Sequence, residues 1–174
     1  MLRRDVLVFG VAITGTAAAQ KTGCASYFAS GLKVRWKMSK DYTLAMLAKM
    51  PDEHLSFRPT PEVWTFSQQL THLADGNLLM CAPLRGDKPV YVGDPPQLAR
   101  TELQKHIQDS YDYVTVAFDR LKSDADGETM VKFFDEQLPK RELCYRLLDH
   151  ATHHRSQALV YLRLKGIVPP PYAG

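Results

Sequence analysis

His150 and His154 stand four residues apart in the segment Leu147-Leu148-Asp149-His150-Ala151-Thr152-His153-His154-Arg155-Ser156-Gln157-Ala158. A helix turns about 100° per residue, so positions four apart differ by only about 40°. On that wheel the two imidazoles share a face with Leu143, Leu147, Ala151, Ala158 and Tyr161, a face that should be buried. His153 points roughly 100° away from its centre. One buried imidazole is easily satisfied by a hydrogen bond. Two, a turn apart on an apolar face, suit either a shared metal ion or a pair of core histidines bonded to a carboxylate or carbonyl.

Several neighbours could serve such a site. Asp149 adjoins His150, and a carboxylate there could orient the imidazole or simply be a solvated helix charge. Arg155 and Gln157 follow the pair and could anchor a substrate, or could be a surface arginine and a boundary amide. Tyr161 lies two turns on, as a core tyrosine or as a hydroxyl offered to the pocket. The residue after His150 is Ala151, so the His-Glu-x-x-His arrangement of zinc proteases is absent and peptide hydrolysis is not indicated.

The elements that must position these residues read as helices. The first is expected over about Leu32 to Lys49, ended by Pro51. The second opens at Trp64-Thr65, where Thr65 and Gln68 form a capping box, and ends near Arg85-Gly86 or a turn earlier at Pro83. Its apolar stripe is Phe66, Leu70, Leu73, Ala74, Cys81 and Leu84; His72 lies off it, at a boundary position beside Gln69, Gly76 and Leu79. The third is expected over about Gln97 to Lys122, with His106 facing solvent. Ser123–Gly127 reads as a polar turn, and Thr129–Phe134 as either extended or a short helix. The last helix starts near Pro139 and stops at Lys165-Gly166, before Pro169-Pro170-Pro171. Four long helices without a confident strand make an all-α four-helix bundle.

At 174 residues the chain suits one domain with a sizeable core. A net charge of +3, mild and scattered, argues against nucleic acid as a partner. Cys24, Cys81 and Cys144 lack metal-type spacing; the last two read as buried free thiols, with an export-compartment disulfide as the alternative. Residues 1–20 have the layout of a signal peptide: Arg3-Arg4, an apolar run from Val6 to Ile13, then Ala17-Ala18-Ala19. The arginine pair suits either a twin-arginine signal or an ordinary secretory one. The apolar run is too short for a stable membrane span. The expected location is therefore the periplasm or the extracellular space, with residues 21–174 as the bundle domain; the alternative is that residues 1–20 form a helix of the fold and the protein is cytoplasmic.

Four stretches carry a family resemblance. Met46-Leu47-Ala48-Lys49-Met50-Pro51-Asp52-Glu53-His54-Leu55-Ser56-Phe57-Arg58-Pro59 resembles the end of the first helix in the DinB-like (DinB/YfiT) superfamily. Trp64-Thr65-Phe66-Ser67-Gln68-Gln69-Leu70-Thr71-His72 is similar to its tryptophan-then-histidine helix, and His150–Gln157 to its His-x-x-His-His-Arg-Gly-Gln signature. Tyr161–Pro170 resembles its closing segment. Ser156 departs from the family, which usually has glycine there.

The resemblance implies a DinB/YfiT-type bundle and a three-histidine site for one divalent metal ion, made of His72, His150 and His154. Three imidazoles leave a position open for water or substrate, as catalytic sites do, and zinc or nickel suits them. Asp75, one turn from His72, joins Asp149 as a residue that could orient a ligand. It further implies a small-molecule enzyme of the thiol S-transferase or hydrolase type, with a low-molecular-weight thiol such as bacillithiol or mycothiol as partner. The alternative is a non-catalytic metal-binding or stress-related bundle protein of the cell envelope. Many such bundles form a homodimer, and nothing in the sequence argues strongly either way.

Overall fold

Pro51 stops the first helix as its fixed φ and missing N–H require. In the computed structural model, which describes residues 27–172, helix α1 runs Tyr27–Lys49, a turn earlier than expected. The export signal expected over residues 1–20, and Cys24, lie outside the described residues. The carbonyls left open at the end of α1 are claimed by Arg100, which donates to Leu47 O at 2.8 Å and to Met50 O, and also pairs with Asp52. A single 3-10 turn, Asp52–His54, follows.

Helix α2 spans Phe66–Arg85. The capping box forms as expected: Thr65 Oγ1 accepts from Gln68 N, and Gln68 Oε1 accepts from Thr65 N. Pro83 lies inside the last turn without ending it. Gly86, at φ +87°, then reverses the chain and returns its N–H to Ala82 and Pro83 carbonyls. The loop back to α3 (Arg100–Asp119) is tied to the start of α2: Ser67 Oγ donates to Leu98 O, and Gln68 Nε2 donates to Pro95 O.

The polar turn after α3 is a one-turn helix, α4 (Asp124–Glu128), capped by Ser123. The undecided segment is extended. Strands β1 (Met130–Phe133) and β2 (Glu136–Pro139) pair antiparallel, Met130 opposite Pro139 and Phe133 opposite Glu136. This hairpin is a small addition to the expected all-helical chain. Helix α5 (Lys140–Leu164) follows directly, with Pro139 at its N-cap.

The architecture is a four-helix bundle: α2 packs against both α3 and α5, and α1 closes the ring against α3 and more lightly against α5. Trp36, at the centre of α1, is 2 % exposed and donates its indole N–H to Tyr111 O at 3.0 Å. It lies tilted against Tyr111 and meets Phe118 edge to face, so these aromatics define the α1–α3 seam. Cys81 and Cys144 are buried free thiols, each pushed up to about 12 by burial. No helix among the described residues is long and apolar enough to cross a membrane.

Candidate metal centre

His150 and His154 project from consecutive turns of α5 toward α2, and His72 projects from α2 to meet them. The ring centroids are 4.6 Å apart for His150 and His154, 4.5 Å for His72 and His154, and 5.1 Å for His72 and His150. One ligand nitrogen from each ring lies within 4.8 Å of the other two. Nitrogens sharing an ion at about 2.1 Å in a tetrahedron are ~3.4 Å apart. Small rotations of the imidazoles would close that difference. His72 is half-buried although it lies off the strongest apolar stripe; the face it shares with Gln69 and Gly76 is the one that packs on α5.

Burial sets the protonation of the three rings. The His154 imidazole is pushed down to about 3, first by desolvation and then by His150, His72 and His153. That of His150 falls to about 4 for the same reasons. His72 is lowered by desolvation, with the Asp75 charge opposing. All three are therefore neutral near pH 7, the form that ligates a metal. Nδ1 of His150 is buried and has no hydrogen-bond partner. A buried orphan nitrogen is costly in a finished core. No carboxylate among the described residues bonds to any of the three rings. This donor set fits a borderline-soft divalent cation such as zinc or nickel.

Two residues that periodicity did not single out shape the site. Gln69 Oε1 accepts from His154 Nδ1–H at 2.9 Å, which leaves Nε2 of His154 free to ligate. Gln69 is itself oriented, since its Nε2 donates to Gln157 Oε1 at 2.6 Å and lies 3.4 Å from the Tyr161 hydroxyl. Gly76 supplies space: a Cβ at that position would stand 2.0 Å from Cε1 of His150. Both lie one turn from His72 on the same face, at positions 69 and 76, and that spacing was the available signal.

The other expected residues are distributed differently. Asp75 does not bond to His72. It faces α3 and pairs with His106 Nε2 at 2.7 Å, so His106 is half-buried rather than turned to solvent. Three residues on from His72 rotates a side chain about 60° around the helix, enough to change its neighbour from α5 to α3. Asp149 is exposed on α5 and makes no hydrogen bond or ion pair among the described residues. Gln157 does reach the site, bridging Gln69 to His153 Nε2 at 2.7 Å. Tyr161 is a core residue whose hydroxyl donates to Trp64 O at 3.0 Å. Trp64 in turn lies 4.4 Å from the His72 ring and 5.9 Å from that of His154, covering one side of the triad. Arg155 turns away from the imidazoles, toward Ser39 of α1.

A helical bundle with three neutral imidazoles converging between its second and last long helices is the fold and arrangement now on hand. The chain belongs to the DinB superfamily, whose family model matches residues 35–158, well over half of its length. It is 28% identical over 145 residues to the uncharacterized protein YrdA of Bacillus subtilis (strain 168), covering 80% of this chain and 84% of that one. Among solved structures it is similar to a DinB-like protein from Bacillus cereus ATCC 10987, with a TM-score of 0.71 at 22% identity, covering 83% of this chain and 97% of that one. It is also similar to the mycothiol-dependent maleylpyruvate isomerase, with a TM-score of 0.61 at 15% identity, covering 75% of this chain and 60% of that one. At such identities these structures speak for the shared fold.

Proposed function

We propose that this chain is a divalent-metal enzyme acting on a small molecule, with His72, His150 and His154 as the ligands of one zinc or nickel ion. The observation that carries the reading is the convergence of three neutral imidazoles, one with an orphaned buried nitrogen, and no bonded carboxylate. An ion held by these three residues would supply Lewis acidity and would lower the pKa of a bound water or thiol. The chain's own residues do the rest. Gln69 holds His154 in one tautomer, Tyr161 holds the Trp64 backbone in place, and Trp64 shields the triad from water on one side. The isomerase that shares this fold is described as mycothiol-dependent, which makes a low-molecular-weight thiol the first co-substrate to try, ahead of simple hydrolysis.

Metal analysis of the purified protein is expected to give about one divalent ion per chain, and His72→Ala with His154→Ala is expected to remove it. Unchanged metal content in that double variant would sink the assignment. Thiol supplied with chlorinated or epoxide electrophiles then tests turnover; none above the metal-free control would favour a non-catalytic metal-binding protein of the envelope. We read residues 1–20 as an export signal of the twin-arginine type, which would let the protein fold around its metal before export. Replacing Arg3 and Arg4 by Lys is expected to hold it in the cytoplasm, as cell fractionation would report.

A further inference from the structure

Arg155 is 9 % exposed, yet no carboxylate among the described residues pairs with it. Its guanidinium donates to Ser39 Oγ and Thr152 Oγ1 and lies 5.6 Å from the centre of the Tyr42 ring. Ser39 continues the network to the Tyr111 hydroxyl, which also meets Thr43 Oγ1 at 3.0 Å. Every partner is a neutral hydroxyl or a π face. A guanidinium carries five N–H donors in a fork that matches a carboxylate, and here they meet only the hydroxyls of Ser39, Thr152 and Tyr111. Buried charges are ordinarily paired, because desolvating an unpaired one is costly.

The same side chain lines a cleft of about 920 Å³ between α1 and α5, on the side where these helices pack lightly. The cleft walls are Phe28, Met38, Tyr145, Leu148 and Tyr172. Phe28 and Tyr145 meet edge to face at 5.8 Å. Arg35 and Asp149 also line it, and both are exposed. The lining is mixed, apolar walls alternating with Ser30, Ser39 and Thr152, and Arg155 is its buried cation; a concave space with aromatic walls and a few placed polar groups is the usual form of a small-molecule site. We propose that the α1–α5 cleft binds a small monocarboxylate with an aromatic or aliphatic body, its carboxylate paired with Arg155. With the exposed charges of Arg35 and Asp149 offsetting each other, the single buried guanidinium of Arg155 leaves one net positive charge, which matches a monoanion. Arg155 and the imidazoles project from different sides of α5, so this site is separate from the triad and does not depend on the metal reading.

Calorimetric titration of the full chain with 3-phenylpropionate and with the neutral 3-phenylpropionamide tests it. The carboxylate is expected to bind at least about tenfold more tightly than the amide, the margin a charge-assisted hydrogen bond gives. Arg155→Gln should abolish that margin. Gly31 also lines the cleft, and a Cβ there meets nothing within 4 Å. Gly31→Leu therefore adds bulk at the cleft wall, and should weaken both ligands even if Arg155→Gln fails to fold. Equal affinity for carboxylate and amide in the unaltered protein would overturn the proposal. So would a margin that survives Arg155→Gln, an affinity for both ligands that Gly31→Leu leaves unchanged, or a margin that disappears when a chelator strips metal from the protein, since the carboxylate would then sit elsewhere.

Discussion

A missing side chain decides whether His150 can reach its neighbours. Gly76 packs against that ring so closely that a single methyl group would overlap it. Glycine inside a helix costs roughly 1 kcal/mol relative to alanine, so α2 gives up local stability to hold this shape. Gly76→Ala is expected to improve the helix while forcing His150 out of place. If the triad holds a divalent ion as proposed, metal analysis of the variant should show it lost, although far-UV circular dichroism still reports a folded bundle. Full retention of metal would mean that His150 is not a ligand or that α2 can shift away from α5. Gln69 works by bonding instead of by space. Its amide oxygen meets His154 Nδ1, and its own NH₂ is fixed by Gln157. An amide orients the ring without adding charge, so the imidazole cluster stays neutral.

Among the elements, the hairpin carries a local conflict. Strands β1 and β2 are joined by a two-residue turn, Phe134-Asp135, in which Phe134 has φ +51°. Of the two central residues only Phe134 has positive φ, and a two-residue turn of that kind favours Gly at the first central position. A bulky side chain pays about 1–2 kcal/mol in that region. Phe134 is 50 % exposed, so little packing offsets the strain. Phe134→Gly is expected to raise stability by about 1 kcal/mol, less whatever its contact with Phe133 contributes. Chemical denaturation would show a higher midpoint at an unchanged slope; a lower midpoint would mean that the Phe133–Phe134 contact outweighs the backbone strain.

For the molecule as a whole, the triad ties folding to pH. His150 and His154 have folded pKa values of about 4 and about 3, below the ordinary value of 6.5. The unfolded chain therefore binds more protons than the folded one between those limits, and stability rises with pH across that window. The metal-free protein is expected to be most stable above pH 6.5 and to lose stability as pH falls from about 6.5 toward 3. Thermal melts in this range check it, and replacing both histidines by Gln should flatten the slope. A slope that persists unchanged in that variant would place the proton uptake in other groups. Bound metal should steepen the loss, because protons compete for the same nitrogens.

Much of this arrangement was legible in the chain because it is local. The pairing of His150 with His154 follows from helical repeat alone, and Thr65 with Gln68 announces the start of α2. Pro51 and Gly166 end their helices through backbone geometry that no distant contact needs to impose. The four-helix class follows from such signals in sequence. What stands opposite each face is another matter. A helical wheel gives the direction of a side chain, but the identity of its neighbour depends on how helices distant in sequence pack. Packing turned His72 toward α5, gave Asp75 to His106, sent Arg155 to Ser39 of α1, and made Gln69 the partner of His154. These are contacts between residues 31 to 116 positions apart, created only when the bundle closes.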